Sequence, residues 1–151
     1  MRHDYASMGF YTFDCLGWPV SAIPPNGDTF FIQDITLAVS GAAGAAVVAA
    51  AKLGLDCLAI GGYGRDMTGD WAVDRIASFG IDILGLQRFD DVPTSSSIVL
   101  TRADGSRPAL HLKGATGAFA CRISAALRAP SIASISPMPP KWNTRASLTR
   151  S

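Results

Sequence analysis

"SGAAGAAVVAAAKLG", residues 40–54, has one charged side chain, Lys52, and little side chain beyond methyl groups until Val47. Either it spans a membrane or it is a helix whose bare beginning lets something come very close. The uncharged run from Ile35 to Ala51 is mostly Ala, Gly, Ser and Thr and stops at Lys52. A span needs about 20 strongly apolar residues, so the run is too short and too weakly apolar. Ala42 to Leu53 has high helix propensity, and Gly54 suits the left-handed residue that closes a helix. A helix beginning at Ala42 leaves unpaired N–H groups and the positive end of its dipole around Ser40 to Ala45. Gly41 and Gly44 strip that turn of side chains, so a ligand hydroxyl or anion could reach the backbone. Equally, small residues there let a helix pack tightly on a sheet. Both readings stay open at this point.

Working outward, "DTFFIQDITLAVS", Asp28 to Ser40, alternates Ile35, Leu37 and Val39 with Thr36, Ala38 and Ser40, the period of a strand with one wetter face. The Pro24-Pro25-Asn26-Gly27 run before it is a turn. On the other side, "CLAIGG", Cys57 to Gly62, is a short apolar run bounded by glycine and reads as a buried strand. Asp70 to Phe79 puts Val73, Ile76 and Ala77 on one helical face and closes on Gly80. Strand, helix, strand, helix in succession is the order of an α/β sheet with crossover helices. Ser96 to Thr101 and Ala109 to Leu112, around Asp104-Gly105, read as a hairpin.

Beyond Gly117 the periodicity fades. All 12 acidic residues are Asp and lie between Asp4 and Asp104, whereas Cys121 to Ser151 contains no acid, several prolines and serines, and Arg122, Arg128, Lys141, Arg145 and Arg150. The chain is therefore divided at 1–120, an ordered α/β segment, and 121–151, a Ser/Pro/Arg-rich segment expected to be a disordered tail or the product of a reading-frame change. Over the 151 residues 48% are hydrophobic and 17% charged, which suits one globular domain with a real core. A net charge of +1 gives no reason to expect nucleic acid or an anionic membrane as partner. The three cysteines, Cys15, Cys57 and Cys121, include no C-x-x-C pair, which argues against a disulfide framework or zinc site and for a cytoplasmic setting.

Few residues advertise chemistry. "GGYGRDMTG", Gly61 to Gly69, fails the dinucleotide fingerprint because Met67 stands where its last glycine belongs, and Asp66 reads as a cap for the helix that follows. There is no phosphate-binding G-x-x-x-x-G-K-[ST], and His3 and His111 stand far apart with no ligand cluster at metal spacing. Ser95 to Ser97 suits a strand start better than a nucleophile. Lys113 is either a polar-ligand contact or an ordinary solvated lysine.

Three stretches taken together, "SGAAGAAVVAAAKLG", "AIGGYGRDMTGDWAVDRIASFGID" and "VPTSSSIVLTRADGSRPALHLKGAT", resemble the N-terminal half of the PfkB, or ribokinase-like, carbohydrate kinase family. The order and spacing match that family's glycine-rich first signature, its G-x-x-G-x-D-x-x-G turn, its helix end and its lid hairpin, over about Phe10 to Phe119. The resemblance implies a three-layer α/β sandwich with a small β-sheet lid, here truncated, and ATP-dependent phosphoryl transfer to a sugar or nucleoside hydroxyl with Mg2+. It implies Asp14, Gly41 and Gly44 as substrate-binding residues, to which Lys113 is added from its place after the second hairpin strand, and a homodimer or other pairing through lid strands. It also implies that the catalytic Asp and the ATP site lie in a C-terminal half this chain lacks, so that no catalytic residue is assigned and the chain alone is inactive; a non-catalytic sugar-binding or lid-mediated interaction module is the alternative. Two positions depart from the pattern. Ala45 stands where many relatives have Asn, and Trp18 where relatives often have Asp, which suggests a different hydroxyl pattern or a ligand that stacks on Trp18.

Overall fold

The computed structural model of the chain describes residues 2–128. In chain order the elements are β1 (Tyr5–Met8), β2 (Thr12–Trp18), β3 (Asp34–Ser40), α1 (Ala42–Lys52), β4 (Cys57–Gly64), α2 (Met67–Ala77), β5 (Asp82–Phe89), β6 (Ser96–Leu100), β7 (Ala109–Leu112) and α3 (Gly114–Arg128). They form two sheets. β1, β4 and β5 make a parallel sheet in the order β1-β4-β5, and the second, mixed sheet runs β3-β2-β6-β7.

β4 is the middle strand of the parallel sheet, and its alternation divides the core in two. Cys57 and Ala59 face one side, where they meet Ala43, Val47 and Ala50 of α1 and Ile76 of α2. Ile60 faces the other, beside Phe89 and the Ala115 and Phe119 of α3. The result is a three-layer α/β sandwich with α1 and α2 on one face and α3 on the other. The Ala-rich stretch is therefore a close-packing helix: with methyl groups on both partners, α1 sits low on the sheet and Val47 is wholly buried. Dense packing of this kind registers the loss of single methyl groups. Ile76→Val should cost about 1 kcal/mol in a chemical denaturation experiment.

The link from β1 to β2 carries the chain from the parallel sheet into the second one. At this corner Tyr11 is buried and its hydroxyl donates to the Ser7 carbonyl at 2.7 Å. Burial pushes that hydroxyl's pKa up to about 12, so it stays a donor at any ordinary pH. The Tyr11 ring occupies the space a Cβ on Gly61 would need. That contact ties the corner to the middle of β4.

The expected elements are present with shifted bounds. α1 and the 96–112 hairpin lie where the sequence places them, and Gly105, at φ 85°, makes the turn by donating its N–H to the Arg102 carbonyl. The strand expected over Asp28 to Ser40 is β-paired only from Asp34, because pairing follows the length of β2 and Trp18 is its last partner. α2 begins at Met67 rather than Asp70, since Asp66 supplies its cap. β1 and β2 were not distinguished in the sequence. α3 runs through the boundary drawn at 120/121, held by Ala115 and Phe119 at i, i+4 on one face. Residues 129–151 of the expected tail lie outside the described residues.

Candidate functional site

Ladder register fixes which side chains of the second sheet share a face. Asp14 on β2 is opposite Ser97 on β6, and Ser97 is opposite His111 on β7. Thr12 and Ser40 are likewise paired. These polar residues face the body of the protein. Their neighbours in sequence, Cys15, Leu37, Ile98 and Leu110, are also in register with one another and lie on the opposite, apolar face.

Between the polar face and the body lies a cleft of about 270 Å³ whose lining includes Asp14, Ser40, Gly41, Ser97, His111 and Thr116. Phe10, two residues past the C-terminal end of β1, closes one side. Clefts outside the carboxyl ends of parallel strands are where open α/β sheets bind ligands. Gly41 is the N-cap of α1 at φ 81° with no side-chain cap, and the Phe10 carbonyl accepts from the Gly44 N–H at 3.2 Å, so the helix start borders the cleft with one of its first-turn N–H groups already paired. A Cβ on Gly41 would also run into the Phe10 carbonyl.

Asp14 is the exceptional group. It is 9% exposed, and its Oδ1 is buried without a hydrogen-bond partner. An ionised carboxylate in that state is costly unless something else satisfies it. Nearby polar groups are occupied. Ser95, fully buried, donates to the Lys113 carbonyl at 2.5 Å and takes a hydrogen bond from the Thr116 N–H at 2.9 Å.

Asp66 fixes the base of the second sheet to the body. Its Oδ1 accepts from the Gly69 N–H at 2.8 Å, which caps α2, and from the hydroxyls of Thr68 and Thr94, both at 2.7 Å. Its Oδ2 accepts from the Thr94 N–H at 2.7 Å. Partial burial pushes its pKa up, but the hydrogen bonds from Thr94, Thr68 and Gly69 outweigh this and bring it down to about 2. Thr94 sits two residues before β6, so this carboxylate joins the start of α2 to the entry of the second sheet. The ring of Trp71 on α2 adds an edge-on contact to Phe13 of β2, with centroids 5.2 Å apart.

Of the residues singled out in the sequence, Asp14 and Gly41 come together in the cleft. Gly44 does not line it. Gly44 is buried, and a Cβ there would meet Val39 at 3.3 Å and Tyr11 at 3.5 Å, so its smallness serves packing. Lys113 is exposed and its aliphatic stem lies against Gly117, away from the lining. Ala45 is exposed on α1, and Trp18 ends β2 beside Pro19; neither borders the cleft. Ser97 and His111, which read in the sequence as part of a strand start and as a histidine without a ligand cluster, also line the cleft. Counting back and forward from the Asp104-Gly105 turn would have paired them.

The remaining titratable cluster lies at the opposite, N-terminal end of the parallel strands. There His3 stands 3.0 Å from Asp56 and 3.2 Å from Asp82 and fastens the chain start to the sheet. Among the described residues no group of three or more His, Cys, Asp or Glu side chains is placed to hold a metal ion. Among the same residues, no helix is long and apolar enough to cross a membrane.

No protein-family profile matches the chain, and no curated protein matches it in sequence. Solved structures do match. The chain is similar to Arabidopsis thaliana ribokinase, solved with ribose and ATP, at 19% identity and TM-score 0.65, with 76% of this chain and 37% of that one covered. A nucleoside kinase of Methanocaldococcus jannaschii, a ribokinase-family member, aligns at 21% identity and TM-score 0.60, covering 74% and 37%. A second, ribokinase-II-type structure from E. coli aligns at 23% identity and TM-score 0.63, covering 76% and 36%. The chain thus has the ribokinase-like fold and spans just over a third of the length of the structures it matches.

Proposed function

We propose that this chain is the sugar-binding portion of a ribokinase-like kinase, taking a sugar or the ribose of a nucleoside into the cleft between the second sheet and α1. The observation that carries the proposal is the Asp14 carboxylate, buried and unpartnered at Oδ1 where the cleft opens. A ligand hydroxyl donating to it would satisfy the charge and exclude water at once. Gly41 leaves the N-terminal end of α1 bare beside it. The second sheet is the lid, and Asp66 and Thr94 form its attachment. Phosphoryl transfer from Mg2+-ATP needs in addition a base and a phosphate-binding site, and this reading assigns neither to a residue of the cleft. The chain alone binds and does not turn over.

Calorimetric titration with D-ribose, D-fructose and adenosine tests this reading. Saturable binding by the wild-type chain, weakened by Asp14→Asn, is the expected result, together with ADP release no higher than a no-acceptor blank. Failure to bind any of the three would sink it.

A second reading, pairing of two lids, is favoured by the opposite face of the same sheet. Ile35, Leu37, Ile98, Leu110 and Leu112 are all exposed there, a continuous apolar strip of a kind that monomers rarely leave bare. Light scattering after size exclusion should give a dimer that Leu37→Asp returns to a monomer. A monomeric wild type would remove this reading and leave the sugar site untouched.

A further inference from the structure

We infer that the open edge of β1 is a self-association surface, on which a second copy of this chain adds its own β1 antiparallel across a two-fold axis at Ser7. β1 has β4 on one side and no described strand on the other. The N–H groups of Tyr5 and Gly9 turn to β4, donating to the Asp56 and Ile60 carbonyls at 3.1 and 3.0 Å. Strand alternation therefore turns the N–H and C=O of Ala6 and Met8 to the open side. Both residues are exposed, Met8 at 61%. Nothing in Tyr5–Met8 blunts this edge, which has no charge, no proline and no bulge.

The other edge of the same sheet decides how two copies meet. Adding β5 of one copy parallel to β1 of the next would be head-to-tail and prone to open-ended growth. β5 is blunted against it. Its ladder with β4 carries a bulge, its Leu84 N–H is taken by the Asp82 carboxylate at 2.9 Å, and Gln87 and Arg88 are exposed on it. Pairing β1 with β1 closes instead. In the antiparallel arrangement Ala6 lies opposite the second copy's Met8, and Met8 opposite its Ala6, each pair exchanging N–H···O=C bonds through the groups that point outward. At both places a methyl group meets a long thioether chain, small against large, on the face of the sheet that Ile60 shares with α3. An edge of four residues holds weakly, with a dissociation constant of about 0.1–1 mM, so the pair comes apart on a size-exclusion column. It shares no residue with the apolar strip of the second sheet.

Sedimentation equilibrium of the full chain carrying Leu37→Asp, which silences the apolar strip, tests this from about 10 µM to about 1 mM. A concentration-dependent dimer is expected, and hydrogen exchange of the Ala6 and Met8 amides should slow about tenfold over that range. Adding Ala6→Lys with Met8→Lys sets like charges across the seam and should leave a monomer throughout. Ala6→Lys with Met8→Glu sets opposite charges there and should restore the dimer. Far-UV circular dichroism checks that each variant is folded, and should one fail to fold, exchange at the unsubstituted edge decides. A monomer at the highest concentration overturns the inference, as does assembly beyond a dimer. So does a dimer indifferent to the charges at positions 6 and 8, or one that the opposite-charge pair fails to restore. Ala6 and Met8 amides already protected in the monomer would mean that the chain covers this edge itself, and would overturn it too. None of these results bears on the sugar site, which calorimetry tests separately.

Discussion

Asp66→Ala should be the most damaging single substitution in the described structure, lowering stability by about 3–5 kcal/mol in urea denaturation. The magnitude follows from what the carboxylate holds. It caps α2 through the Gly69 N–H, and a lost cap alone costs about 1–2 kcal/mol. It also takes the Thr94 N–H and the Thr94 hydroxyl, and Thr94 is almost wholly buried, so alanine strands donors out of reach of water. Each stranded donor adds about 1–3 kcal/mol. Against a domain stability of about 5–15 kcal/mol this removes a large share. The damage should also be local in a telling way. Hydrogen exchange should quicken over β6 and the start of α2, the two segments the carboxylate joins, more than over β1.

The acid limb of the stability curve follows from the same group. Its pKa falls from an ordinary 3.8 to about 2 on folding, so the native state holds its proton less tightly than the unfolded chain does. The contribution is therefore complete above about pH 4 and is lost as pH drops through about 2. Asp66→Asn should lower stability at neutral pH and flatten the curve between those values. A variant whose acid limb kept the wild-type slope would show that another carboxylate governs it.

Much of this architecture is legible from residue order alone, and the reasons it is legible differ by element. α1 can be bounded because its Ala-rich run ends on Gly54, and the hairpin because Asp104-Gly105 allows few alternatives. β1 and β2 could not be separated, since "YASMGFYTFDCLGW" has no alternation that distinguishes a strand in the parallel sheet from one in the lid. The break between them depends on Tyr11 filling the space over Gly61, a contact fifty residues apart in sequence. α3 escaped notice because its buried face is only Ala115 and Phe119, too sparse to register as a period. In the site, Asp14 and Gly41 could be picked out by type and position. The Asp104-Gly105 turn pairs Ser97 with His111, but their nearness to Asp14 depends on β2 running parallel to β6, which no local pattern reveals. Gly44, for which packing and ligand access are equally open in the sequence, lies buried against Val39 and Tyr11 and does not line the cleft.

Asp14 should separate binding from stability, its substitution weakening the one and not the other. A hydrogen bond to a charged group contributes about 1.5–3 kcal/mol, so Asp14→Asn should weaken polyol binding by about ten- to a hundredfold. The unliganded protein should lose nothing. Its Oδ1 is buried with no partner, so Asp14→Asn breaks no bond and should leave stability unchanged, while Asp14→Leu, which removes the unpaired polar atom, should raise it by about 1 kcal/mol. Leu16 and Val99 lie one step further along the same face, so a leucine at position 14 extends an apolar row already present. Were Asp14 a structural residue, holding the lid sheet together through bonds of its own, both substitutions would lower the melting temperature, and binding would fall only as a consequence. A carboxylate kept uncompensated in the free protein and satisfied in the bound one gives no such fall, and sugar added to wild type should then raise its melting temperature while leaving that of Asp14→Leu unmoved.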